Sequence, residues 1–121
     1  MSARLAILPV AAVALVSSAH AAAPAPSRVQ VGADEFRLTL SRTTVPPGPA
    51  VIELYNLGED DHDLALRRAA RGARTYRIAV AAPGRVRELE ARLEPGRYAL
   101  WCTLADHRGR GMSATLIVRT R

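Results

Sequence analysis

The segment Gly96-Arg97-Tyr98-Ala99-Leu100-Trp101-Cys102-Thr103-Leu104-Ala105-Asp106-His107-Arg108-Gly109-Arg110-Gly111-Met112-Ser113-Ala114-Thr115-Leu116-Ile117-Val118 alternates, breaks and alternates again. Tyr98, Leu100 and Cys102 fall on one face and Ala99 and Trp101 on the other, the period of a half-buried strand. Met112, Ala114, Leu116 and Val118 repeat that pattern after a polar, glycine-bearing loop. Upstream, Leu89, Ala91 and Leu93 alternate with Glu88, Glu90 and Arg92 before the turn Glu94-Pro95-Gly96, and Tyr76–Ala82 is a further strand ending at Pro83-Gly84. Residues 68–75 are a loop or one short helical turn. His62, Leu64 and Leu66 share a face opposite Asp63, Ala65 and Arg67. Ala50, Ile52 and Leu54 lie opposite Val51, Glu53 and Tyr55, and Phe36, Leu38 and Leu40 alternate with Arg37, Thr39 and Ser41. Thr44-Val45-Pro46-Pro47-Gly48-Pro49 is too rich in proline for a helix or a central strand. Seven to eight short strands at these intervals, with no convincing helix, predict an all-β sandwich.

The chain has 121 residues, with 17 basic residues (all arginine) against 11 acids and one cysteine. That is one domain's length. One cysteine excludes an internal disulfide framework and any zinc site needing two thiolates. A net charge of +6 permits an acidic partner, yet five aromatic residues and no basic helix argue against nucleic acid. The N-terminus reads as a secretory signal: Arg4, an apolar run from Leu5 to Val16, then Ala19-His20-Ala21 as the cleavage site. The expected organisation is a cleaved signal over 1–21, a flexible leader over 22–27 and one domain over 28–121. The alternative is an uncleaved anchor, although the run is short of the roughly 20 apolar residues a bilayer span needs. After cleavage no membrane-spanning segment remains, and the protein is placed in the periplasm or otherwise outside the cytoplasm.

That destination makes Cys102 a liability. An unpaired thiol in an oxidising compartment is open to oxidation or intermolecular pairing, so it is an inert buried thiol, a nucleophile or a metal ligand. Its surroundings favour the last. Cys102, His107 and Met112 form a Cys-x4-His-x4-Met pattern, and His62 begins a strand on the same interior face. Without the signal segment, His62 and His107 are the only histidines and Met112 the only methionine. A thiolate, two imidazoles and a thioether suit one copper ion cycling between Cu(II) and Cu(I), the thioether as weak axial ligand. A Cys102–His107 nucleophile pair lacks an orienting acid and leaves Met112 unexplained, so the protein is not expected to be an enzyme. Zinc at the same ligands would be redox-silent.

Val51-Ile52-Glu53-Leu54-Tyr55-Asn56 running to His62-Asp63-Leu64, then Glu94-Pro95-Gly96-Arg97-Tyr98, Trp101-Cys102 and Gly111-Met112-Ser113-Ala114-Thr115-Leu116, resemble the small blue-copper proteins of the cupredoxin family, which includes plastocyanin, pseudoazurin and azurin. The resemblance implies a Greek-key β-sandwich, the metal ligands His62, Cys102, His107 and Met112, and single-electron transfer between protein redox partners with His107 as the exit. A monomer is expected. The alternative is copper binding or delivery by the same ligands with no electron-transfer duty. Two departures stand out. Plastocyanin-like members usually place two residues between cysteine and histidine, where this chain has four. Asp63 also stands where Asn or Ser is common; in the family that side chain braces the cysteine loop. Asp63 is therefore expected to accept a hydrogen bond from the Thr103 hydroxyl or backbone N–H, the alternative being a solvated acid. Glu59-Asp60-Asp61 reads as a solvated turn or part of a docking surface, and Trp101 as packing or an electron path.

Overall fold

The computed structural model describes residues 1–2 and 11–121. Arg4 and the first half of the apolar run lie outside the described residues, and residues 11–26 are exposed without regular structure. Nine strands follow: β1 (Ser27–Asp34), β2 (Arg37–Leu40), β3 (Thr44–Val45), β4 (Gly48–Asn56), β5 (His62–Arg68), β6 (Thr75–Ala81), β7 (Val86–Leu93), β8 (Gly96–Trp101) and β9 (Ser113–Val118). They form a four-stranded sheet, β2-β1-β4-β7, and a five-stranded sheet, β3-β9-β8-β5-β6.

The strand count corrects the expected seven to eight. The sequence pattern marks no element over residues 28–35 and places the end of the leader at Ser27, whereas β1 opens at Ser27 and lies parallel to β4, with Val29 opposite Ile52 and Val31 opposite Leu54. β1 also pairs antiparallel with β2, Asp34 opposite Arg37, across the two-residue turn Glu35-Phe36. That turn carries no glycine, asparagine or proline to announce a hairpin, and a parallel partner leaves no local turn at all. The second unexpected strand, β3, is two residues long and pairs with β9 just before Pro46, at the sheet edge where a missing N–H is tolerated. Between the sheets, Val29, Val31, Ile52, Leu54, Leu64, Leu66, Leu100 and Leu116 are buried, the period-2 sets facing inward. Tyr98 is buried with them; its hydroxyl accepts from the Glu94 amide at 2.9 Å and donates to the Glu94 carbonyl at 3.1 Å, closing the turn before β8.

Strand direction places the chemistry. β5 runs antiparallel to β8, and β8 antiparallel to β9. The start of β5, the end of β8 and the start of β9 therefore share one end of the five-stranded sheet, bringing His62, Cys102 and Met112 to the same pole. The register between β5 and β6 shifts between His62 and Leu64, the kind of irregularity that re-aims a side chain at a sheet's rim.

Candidate metal centre

His62, Cys102 and His107 converge there: one ligand atom from each lies within 4.8 Å of the other two, and all three residues are buried. Cys102 Sγ is 3.5 Å from His107 Nδ1. Two ligand atoms sharing one ion at about 2.0 and 2.3 Å, at tetrahedral or trigonal angles, are themselves about 3.5–3.7 Å apart. His62 Nδ1 is, among the described residues, the one buried side-chain nitrogen or oxygen with no hydrogen-bond partner. A buried polar atom without a partner costs about 1–3 kcal/mol, and a cation accepting its lone pair removes that cost. The donor set thus fits a soft, borderline transition-metal ion such as copper.

Cys102 points the same way. Burial pushes its thiol above the ordinary range, partly offset by the backbone amides of Asp63 and Leu104. A thiolate is disfavoured there unless positive charge joins it, which is what a metal ion brings.

The loop that carries the second imidazole is folded tightly. The His107 N–H donates to the Leu104 carbonyl, and the His107 carbonyl accepts from the Met112 N–H at 3.1 Å. The Cys102 N–H donates to the Met112 carbonyl at 3.2 Å, so the loop returns on its own starting point. A 3-10 turn over Arg108–Arg110 ends at Gly111, whose φ of 107° suits glycine and strains any residue with a β-carbon. Met112 is fully buried in the same core, joined through its backbone to both Cys102 and His107.

Asp63 and Thr103 meet through both the backbone and the side chain of the threonine. The Thr103 N–H donates to Asp63 Oδ1 at 2.6 Å, and the Thr103 hydroxyl donates to Asp63 Oδ2. This ties the residue after His62 to the residue after Cys102, across β5 and β8.

Two further residues hold this pole together, and no local sequence pattern gives either a role. Glu35, in the turn between β1 and β2, places Oε1 2.8 Å from His62 Nε2. The backbone N–H groups of Asp60 and Glu59 also donate to it and hold its carboxyl down to about 2. The chemically plain stretch Glu59-Asp60-Asp61 thus works partly through its amides. Asn56 is the other: buried at the end of β4, it donates from Nδ2 to the Asp60 and Ala81 carbonyls at 2.7 and 2.8 Å, and its Oδ1 accepts from the Gly58 N–H at 2.9 Å. Glu35 lies in no local motif, and Asn56 closes the Val51–Asn56 phrase without any local sign of its role; only the long-range fold reveals what either side chain holds.

Above the histidines, the Phe36 ring packs 5.0 Å from the His107 ring, and the Arg110 guanidinium stacks 4.7 Å over Phe36. Arg110 is itself held by Asp106 at 2.7 Å. Trp101 is half-buried beneath the Arg108 guanidinium, 4.4 Å from its centroid. The arginines that flank His107 are therefore laid over aromatic faces, where cation–π attraction holds them.

The chain matches no protein-family model and no curated protein. Solved structures do resemble it. An auracyanin from the photosynthetic bacterium Roseiflexus castenholzii superposes with a TM-score of 0.65 at 17% identity, over 80% of this chain and 100% of that one. Auracyanin A, a "blue" copper protein from Chloroflexus aurantiacus, gives 0.64 at 16% identity, over 78% and 100%. A multicopper oxidase gives 0.60 at 13% identity, over 79% of this chain and 45% of that one. At these identities the likeness establishes the fold, which is the cupredoxin β-sandwich.

Proposed function

We propose that this chain is a type 1 copper protein that carries single electrons between protein partners outside the cytoplasm, with His62, Cys102, His107 and Met112 holding one copper ion. The observation that carries the reading is the buried convergence of His62, Cys102 and His107 within 4.8 Å, with His62 Nδ1 left without a protein partner. Bound there, copper supplies a one-electron Cu(II)/Cu(I) couple. The chain supplies the rest. Cys102 and His62 are wholly buried, and His107 is 9% exposed, so water and bulky substrates are kept from the ligands. A carrier rather than an enzyme fits that enclosure. His107 is the ligand nearest solvent and, with Phe36 and Arg110 over it, the natural exit for an electron.

Two bracing contacts favour rigidity: the Asp63–Thr103 pair and the return of the Cys102–Met112 loop on itself. A rigid site reorganises little between oxidation states, which suits a carrier better than a delivery protein that must release its ion. The visible spectrum of the Cu(II)-loaded protein tests this directly. An intense thiolate-to-copper band with narrow hyperfine splitting is expected; pale copper that a chelator removes readily would instead support delivery.

Met112 would supply the fourth, weak thioether ligand to the copper. Met112→Gln should keep copper and lower the reduction potential, because a harder oxygen donor favours Cu(II). Each tenfold gain of Cu(II) over Cu(I) affinity lowers it by about 59 mV. Voltammetry of the two proteins checks this, and an unchanged potential removes Met112 from the axial position.

The signal assigned to residues 1–21 completes the proposal. Cleavage after Ala21 leaves Ala22 as the first residue, which the mass of the exported protein would reveal; retention of the segment makes it an anchor. Among the described residues no helix is long and apolar enough to cross a membrane.

A further inference from the structure

We propose that Glu35 is a positioning residue of this metal centre, presenting His62 with its Nδ1 lone pair toward Cys102 and His107 and placing a fixed negative charge behind the ligand. The inference rests on the copper reading above for its effect on potential, but not for its effect on His62.

The His62 ring is completely buried and its two nitrogens have opposite surroundings. Nε2 lies 2.8 Å from Glu35 Oε1, while Nδ1 has no partner among the described residues. A carboxylate can only accept, so the single proton of a neutral imidazole sits on Nε2 and Nδ1 keeps its lone pair. One hydrogen bond thereby selects the tautomer and the ring orientation that a metal ligand needs.

Glu35 is itself held in place. The Glu59 N–H reaches both of its oxygens at 3.1 Å and the Asp60 N–H reaches Oε1 at 2.9 Å. Gly58 provides the space, since a β-carbon there would collide with both carboxylate oxygens. The β1–β2 turn and the β4–β5 loop are thus clamped to each other by the group that orients His62. With the Cys102 thiolate, the Glu35 carboxylate puts a second anion close to the ion, and two anions stabilise the more highly charged oxidation state. The carboxylate therefore lowers the reduction potential.

Two variants separate orientation from charge. Glu35→Gln keeps an oxygen that can accept from Nε2–H but is neutral; Glu35→Ala removes both. In the full-length apo protein, long-range 15N–1H NMR of the imidazoles should show wild-type His62 protonated at Nε2. Glu35→Gln should retain that tautomer, and Glu35→Ala should show a mixture. In the copper-loaded proteins, both variants should lose about 10–100-fold in Cu(II) affinity. Where the loss falls on Cu(II) alone, each tenfold raises the potential by about 59 mV. Apo His62 protonated at Nδ1, or variants with wild-type affinity and potential, would overturn the assignment. Absence of any blue copper form in the wild type would instead overturn the functional reading, leaving the NMR result to decide the role of Glu35 toward His62 on its own.

Discussion

Loaded with Cu(II), the Cys102→Ala protein is expected to have no intense visible band and no reversible copper couple, while remaining folded. The band requires a thiolate bonded to the ion, and Cys102 is the only thiol in the chain. Removing one buried sulfur costs little packing, about 1 kcal/mol, so a melting curve close to that of the apo wild type should accompany the loss. The two imidazoles remain, and weak, pale copper binding through them is compatible with the assignment. Survival of the blue band or of the redox couple would show that the sulfur of Cys102 is not a ligand. The apo protein offers a second check. Burial holds the Cys102 thiol above its ordinary range, so a thiol reagent should react slowly near neutral pH and copper uptake should release a proton.

The part of this site that could be read from sequence is the part written in rare residue types. One cysteine, two histidines and one methionine beyond residue 21 leave few ways to assemble a soft-metal site. Period-2 patterns around Cys102 and Met112 put their side chains on the interior face. The Asp63–Thr103 contact was legible only through the family resemblance, because forty residues separate the pair and neither residue type is distinctive. Glu35 was not legible at all. It is one of eleven acids, and its importance comes from a turn that the parallel pairing of β1 and β4 delivers to the metal pole. Local signals for β1 are weak: Val29, Val31 and Ala33 do alternate, but Gly32 and Ala33 dilute the pattern, and the β1–β2 hairpin turns on Glu35-Phe36 with no glycine, asparagine or proline. Long-range partners, not local propensity, separate what was read from what was not.

Asn56→Ala is expected to be the most destabilising single change near the site that touches no ligand. Asn56 is 1% exposed and binds three backbone groups: the carbonyls of Asp60 and Ala81 and the N–H of Gly58. It therefore ties the end of β4 to the loop that delivers His62 and to the end of β6. Truncation removes three hydrogen bonds at about 1 kcal/mol each and strands the buried Ala81 carbonyl, so a loss of about 3–5 kcal/mol is expected. For a domain of this size that corresponds to a fall in Tm of more than about 10 °C, measured on the apo protein to keep metal linkage out of the comparison. Asn56→Asp distinguishes hydrogen bonding from packing. It preserves the shape but turns the donor nitrogen into an oxygen facing two carbonyl oxygens, so it should destabilise at least as much as alanine. If packing were what Asn56 contributes, aspartate would be nearly neutral and alanine costly. Because the same loop carries His62 and the amides that hold Glu35, both variants should also weaken copper binding, Asn56→Asp at least as strongly.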